Sequence, residues 1–247
     1  MKLNRRDLVR IFARSFIIQG LWTIQRGQNL GYVYSLWPAL RRFHSRRDER
    51  ARAARSHASY FSTHPYTAGV LLGVVAGMEE DRSEGDGTAV ESVLAARSAM
   101  SGPLAALGEA FFWGTWLPFC LAATLAMGAL CPPSAIWSPV LFLIFFNSLH
   151  LGVRAAGLWL GYRWKKDVVG HLAPFRIQGL LPLLALGAMA LVVLRGALAP
   201  PPGFSAVQGL LWTGVFWGTL RLGIRPSFLA LGVAAASVAY AGIGAFL

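Results

Sequence analysis

Residues 103–130 read PLAALGEAFFWGTWLPFCLAATLAMGAL, twenty-eight consecutive positions with one charged side chain, Glu109. A bilayer-spanning helix needs about twenty predominantly apolar residues, so this run is long enough to cross. Four more follow it: 136–161, 177–199, 206–222 and 227–247. Their separators alternate in character. The turns at 131–135 (Cys131-Pro132-Pro133) and 200–205 are uncharged, while 162–176 and 221–226 are basic. Successive loops of a multi-pass protein alternate in this way, with the basic ones in the cytosol. The N-terminus is therefore expected in the cytosol, and the C-terminus outside.

Charge placement points the same way. Residues 1–56 carry thirteen Lys/Arg against three Asp/Glu, whereas 111–247 carry eight Lys/Arg and a single acid, Asp167. A soluble domain spreads both signs over its surface; a bilayer tolerates charge only at its edges or in a polar cavity. With 55% hydrophobic residues, the chain is too apolar for an ordinary soluble globule. The net charge of +12 does not indicate nucleic acid, because the basic stretch leads directly into membrane-competent segments. There it reads as a cytosolic flank attracted to anionic lipid. The opening MKLNRRDLVRIFARSF is charged throughout and has no small-residue cleavage site, so it does not read as a signal peptide.

Within residues 4–18, Leu8, Ile11, Phe12 and Phe16 recur at helical spacing, and Asn4 with Asp7 three residues on suits an N-cap. Such an amphipathic helix fits a membrane surface, a partner's groove or this protein's own core. Two shorter segments, 19–40 and 60–80, mix apolar pieces with Gly and polar residues, and read as broken or re-entrant hairpins. Irregular backbone at membrane depth must be buried in protein or line a cavity. Between them, 41–55 is a basic helical stretch, and Glu79–Gly87 reads as a solvated acidic loop. The expected fold is thus an all-α membrane protein: amphipathic N-terminal helices, broken hairpins and about five C-terminal transmembrane helices. It divides into a basic interfacial region (1–60), a hairpin plus first span (61–130) and a transmembrane helical domain (131–247).

No catalytic constellation emerges: no phosphate-cradling Gly-rich loop, no nucleophile elbow and no Cys/His metal spacing. Cys120 and Cys131 form neither a metal site nor a disulfide framework. Asn147, His150 and Arg154 share one face of a span, suited to hydrogen bonds between helices or to a substrate. Glu109 in an apolar run is a functional candidate, with assembly through a nearby Arg as the alternative. Trp22 and Trp113 adjoin polar motifs, and sugars are often bound by aromatic faces beside amide and carboxylate groups.

At these residues the chain resembles a known family. Arg14-Ser15-Phe16 followed by Gly20-Leu21-Trp22-Thr23-Ile24-Gln25-Arg26-Gly27-Gln28-Asn29-Leu30-Gly31 resembles the opening of the IID component of mannose/fructose/sorbose-family sugar phosphotransferase systems. Tyr60–Tyr66 (YFSTHPY), Leu72–Glu80 and Met100–Thr115 (MSGPLAALGEAFFWGT) are similar to its later motifs, in the family's order. Thr23, Gln25, Ser62 and Glu109 stand where the family pattern has Asn, Glu, Asn and Asp. The resemblance implies a multi-pass subunit of the bacterial inner membrane. Such a subunit pairs with a IIC subunit, in trimers of heterodimers, to pass a mannose-type hexose that cytosolic IIB, charged by IIA, phosphorylates. It implies no cofactor and no catalytic histidine here. Carried onto this chain, the substrate-binding residues would be Trp22, Gln25, Arg26, Gln28, Thr63, His64, Glu109 and Trp113. A regulatory or scaffolding homologue that binds IIC without transport is the alternative, which the substitutions at Thr23, Gln25 and Ser62 favour considering.

Overall fold

The computed structural model describes residues 2–130 and 137–168. The described residues are helical, with two isolated backbone bridges and no strand. In order come α1 (Arg5–Ser15), α2 (Asn29–Phe43), α3 (Arg47–Ser56), α4 (Ala68–Glu84) and α5 (Val90–Gly108). A π-helical stretch, Glu109–Trp116, leads from α5 into α6 (Leu117–Leu130). After it come α7 (Ser138–Trp164) and a 3₁₀ turn, Lys165–Asp167. Two helical stretches, Val90–Thr124 and Ser138–Asp167, are long and apolar enough to cross a membrane. The three further spans expected in 177–247 lie outside the described residues.

The chain forms two units, one of Met1–Ala110 with Asn147–Arg176 and one of Phe111–Phe146 with Ile177–Leu247. In the second, Phe142 stacks on Phe146 and the hydroxyl of Thr124 bonds back to the Cys120 carbonyl at 2.8 Å. The back-bond satisfies a hydroxyl that lipid could not.

The first unit is built from several local rules. α1 opens with a reciprocal capping box. The Asn4 side chain accepts from the Asp7 N–H at 2.8 Å, and the Asp7 carboxylate accepts from the Asn4 N–H at 3.4 Å. Ile11 and Ile18 are buried with Tyr32, Leu36 and Leu40 of α2 in one core. α4 is buried from Ala68 through Glu80, so it has no solvent face over that length. Its glycines explain how. A β-carbon built on Gly69, Gly73 or Gly77 would stand 2.3, 2.2 or 2.8 Å from the carbonyl oxygen of Arg154, Leu158 or Tyr162 on α7. Gly157 and Gly161 of α7 return the contact against Val70. Small residues every fourth position thus bring two helix backbones together.

Two expectations are corrected here. Residues 68–84 form one continuous helix rather than a broken hairpin, because the glycines that read as interruptions form its packing face. Glu79 and Glu80 belong to that helix and are buried, so the solvated acidic loop shrinks to the turn after Glu84, where Gly85 adopts φ +79°.

Gly73→Ala should force α4 and α7 apart and lower stability by roughly 1–3 kcal/mol, the usual penalty for overpacking. Gly102→Ala, where an added β-carbon meets nothing within 4 Å, should leave thermal unfolding of the purified protein unchanged or slightly raised.

Candidate functional site

The first motif closes into a small loop. Thr23 and Gly27 exchange backbone hydrogen bonds at 3.1 and 2.7 Å, and the Thr23 hydroxyl accepts from the Arg26 N–H at 3.2 Å. Gly27 takes φ +60°, and a β-carbon there would stand 2.2 Å from the Phe61 carbonyl oxygen. Glycine is therefore required twice over, by conformation and by space. The loop presents Trp22, Ile24, Gln25 and Arg26 outward.

The loop base is bolted to the second motif. The Gln28 N–H donates to the Phe61 carbonyl at 2.7 Å. The buried Gln28 side chain then pairs with the Thr63 backbone in both directions. Its Nε2 donates to the Thr63 carbonyl at 2.8 Å, and its Oε1 accepts from the Thr63 N–H at 3.2 Å. Asn29 adds a bond from its side-chain amide to the Ala58 carbonyl at 2.7 Å. A glutamine that completes a non-helical backbone in this way stands in for a neighbouring strand.

The second motif is bolted to the Met100–Thr115 motif. The hydroxyl of Thr63 donates to the Ser101 carbonyl at 3.1 Å and that of Thr67 to the Leu104 carbonyl at 2.9 Å. The His64 ring lies on Gly108, where a β-carbon would stand 2.3 Å from its Cγ, and His64 Nδ1 accepts from the Tyr66 N–H. Glu109 is the next residue and is exposed. Gln28, Thr63 and His64 are thus framework, buried and bonded to the chain itself. Trp22, Gln25, Arg26 and Glu109 are the expected site residues in this unit that reach outward. Trp113 belongs to the second unit, where its ring stacks with Phe146 at 6.2 Å.

Beside these motifs, Arg154 of α7 is buried and donates to the Ser15 carbonyl at 2.6 Å. Its guanidinium lies over Phe16 (4.6 Å) and Tyr66 (5.8 Å), while Tyr66 stacks on His150 at 4.3 Å. His150 bonds Asn147 at 2.8 Å. Of this polar face, Arg154 reaches another helix, whereas the bond between Asn147 and His150 stays within α7.

A further buried cluster carries charge. Glu79 accepts from His57 Nε2 at 2.9 Å and from Arg82 at 2.6 Å. Arg97 of α5 reaches the His57 carbonyl at 2.7 Å, bonds the Ser59 hydroxyl, and lies over the rings of Tyr32 and Phe61. Burial by itself would raise the Glu79 carboxyl, but the bonds from His57 and Arg82 outweigh it and hold the group below its ordinary value of 4.5. In the sequence Glu79 falls within a motif and at the start of a stretch that reads as solvated. Its one clue was the unbroken apolar run before it.

Among the described residues no group of three His, Cys, Asp or Glu side chains could hold a metal ion. What the surface offers is an indole, a primary amide, a guanidinium and a carboxylate. Groups of these types can bind and orient a polar ligand by hydrogen bonds and ring contact, and they include no nucleophile–base pair.

The family described as PTS system mannose/fructose/sorbose family IID component matches residues 2–199. A mannose-specific EIID component of Escherichia coli K12 is 35% identical over 197 residues, 76% of this chain and 68% of that protein. The fructose permease IID component of Bacillus subtilis 168 is 31% identical over 196 residues, covering 76% and 70%. Among solved structures, a chain from the cryo-EM structure of the mannose transporter ManYZ with microcin E492 aligns over 98% of both chains, with TM-score 0.62 and 27% identity. Another, described as a membrane protein, aligns over 99% of this chain and 98% of its own, with TM-score 0.71 and 28% identity. This chain belongs to the IID component family.

Two outcomes follow from the framework. Gln28→Ala should strip both partners from the buried Thr63 backbone and lower stability by roughly 2–5 kcal/mol, seen as a drop in unfolding temperature. For Glu79, the native carboxyl is held below its unfolded value. Its stabilisation is therefore complete above about pH 4.5 and lost as pH falls through the native value. Glu79→Gln should destabilise the protein at neutral pH by about 3 kcal/mol or more and flatten the acid limb of its stability profile.

Proposed function

We propose that this IID component is a membrane subunit of a sugar permease, forming with a IIC subunit the path for a mannose-type hexose that cytosolic IIB, charged by IIA, phosphorylates. The carrying observation is the division of labour among the motif residues. Gln28, Thr63, Thr67 and His64 tie three motifs together, and the side chains left facing outward are those suited to a neutral polyol. An indole such as that of Trp22 can cover an apolar sugar face, Gln25 and Arg26 can donate to hydroxyls, and Glu109 can accept from them. The names of the relatives, mannose-, fructose- and sorbose-specific, support a hexose.

The same reading places the protein in the bacterial cytoplasmic membrane, as trimers of IIC–IID heterodimers, with the N-terminus cytosolic and the C-terminus external. Lys165 and Lys166, at the end of a candidate span, support the first part of that orientation. Phosphoryl transfer belongs to IIA and IIB, so the chemistry asked of this subunit is binding and passage alone.

Glu109→Gln keeps the side chain's shape and removes its charge. It should reduce sugar uptake about ten- to hundredfold, the worth of a charge-assisted hydrogen bond of roughly 1.5–3 kcal/mol, while the protein still co-purifies with IIC. Gln25→Glu should leave uptake equal or better. Uptake and assembly both unchanged in Glu109→Gln would remove the site and favour a non-transporting scaffold. Loss of assembly alone would make Glu109 a structural residue.

A further inference from the structure

A cleft of about 450 Å³ lies between α1 and α2, lined by Asp7, Arg10, Arg14, Trp37, Arg41 and Arg42 among others. Four guanidinium groups there face one carboxylate. That carboxylate is already engaged: Asp7 is buried, closes the α1 capping box and lies 3.8 Å from Arg10. Arg14 is held in place by a bond to the Tyr34 carbonyl at 3.2 Å and by stacking on the Tyr34 ring at 4.6 Å. Arg42 is steadied at 3.4 Å by the Lys2 carbonyl. Arg41 is exposed and makes no hydrogen bond or ion pair among the described residues. The cleft therefore combines two guanidinium groups held by the backbone with Arg10, whose exposed side chain is engaged by Asp7 alone, and Arg41, which has no partner among the described residues. Planar forks of this kind match phosphate oxygens in pairs.

What stands beside the cleft narrows the source of the phosphate. On the outer side of α1, Val9, Ala13 and Phe16 are exposed at i, i+4 and i+7, an apolar stripe next to Arg10. The helix also changes character along its length. Its exposed residues begin with Arg5, Arg6 and Arg10, and the chain continues past its end into exposed Ile17, Leu21, Trp22 and Ile24. Both ends of α1 are referenced to α7. Near the start, Glu80 accepts from the Leu3 N–H and from the Tyr162 hydroxyl; at the end, Ser15 meets Arg154. Tyr162 and Arg154 lie eight residues apart, about 12 Å along a helix. α1 thus descends along a candidate span from its charged end toward its apolar end. A soluble phosphate would use the arginines and ignore the stripe; a phospholipid uses both.

We propose that the α1–α2 cleft is a phosphate site occupied by the headgroup of an anionic phospholipid, whose acyl chains lie along the Val9–Ala13–Phe16 stripe. The site holds whichever sugar, or none, the subunit passes.

The test uses the full chain extracted with its membrane partners and placed in nanodiscs of phosphatidylcholine with a minority of phosphatidylglycerol. Retained lipid is counted by native mass spectrometry. Arg10→Gln combined with Arg41→Gln removes the two groups with least structural commitment. Arg47→Gln combined with Arg52→Gln, both exposed on α3, removes the same charge elsewhere. A basic side chain near an anionic surface is worth about fivefold in affinity. The cleft pair should then lower phosphatidylglycerol retention roughly ten- to thirtyfold, with unfolding temperature unchanged, and the α3 pair by less than threefold. Equal losses from the two pairs would reduce the site to general surface attraction and overturn it. Displacement of the lipid by millimolar glycerol phosphate or inorganic phosphate would assign the cleft to a soluble anion instead. Unchanged lipid retention with loss of a bound acidic protein would make it a protein-docking surface.

Discussion

Two helix backbones touch along α4 and α7, and the rest of the first unit is arranged around that contact. Gly69, Gly73 and Gly77 leave no room for side chains against the carbonyls of Arg154, Leu158 and Tyr162. Close approach of this kind gains dispersion along the whole interface without needing water to drive it, which suits an apolar surround. It also sets the heights of the groups that hang from it. Arg154 is delivered to Ser15 at one level, Tyr162 to Glu80 at another. The two ends of α1 are then positioned by polar bonds rather than by apolar packing alone.

Buried charge is handled by the same economy of position. Arg154, Glu79, Glu80 and Arg97 are each less than a tenth exposed, and each ends on specific partners. A lone buried ion would be far too expensive to keep. Glu79 draws on His57 from the end of α3 and on Arg82 one turn along its own helix, so one carboxylate joins two elements. Arg97 ties α5 to the backbone at His57 and covers two aromatic faces. Such a network fails if one member is lost, because the remaining groups are left uncompensated. It therefore favours a single arrangement of the loops between α2 and α4, and those loops carry the Tyr60–Tyr66 motif.

Much of this was legible in the residues, and the reasons for the failures are physical. The Asn4–Asp7 cap, the helix after it and the long helix around Asn147, His150 and Arg154 follow from local spacing, because caps and faces are local properties. α4 was not recognised as one helix. Gly69, Gly73 and Gly77 have low helix propensity, and only the presence of α7 turns them from breakers into a packing face. Glu79 and Glu80 were assigned to solvent for a similar reason: their partners His57, Leu3 and Tyr162 are between 22 and 82 residues away. Gln28, Thr63 and His64 stand out in the sequence as candidates for a ligand, and the structure adds a framework role that the sequence does not display. An amide side chain that binds a ligand and one that completes a backbone look the same until its partner is known.

That distinction bears on the positions where this chain departs from its family's pattern. Thr23 replaces an Asn, yet its hydroxyl still accepts from the Arg26 N–H within the loop, so the turn keeps an acceptor where the amide would have supplied one. Gln25 replaces a Glu at an exposed position that makes no bond to the framework among the described residues, and a change there leaves the loop's construction untouched. Glu109 replaces an Asp immediately after Gly108, the residue that His64 rests upon. The backbone is held from behind while the added methylene extends the carboxylate outward. None of the three substitutions falls on the Gln28–Thr63 lock, and Ser62, the fourth, lies between the bonds that make it. The bonds that join the motifs to one another are therefore made by residues other than these four.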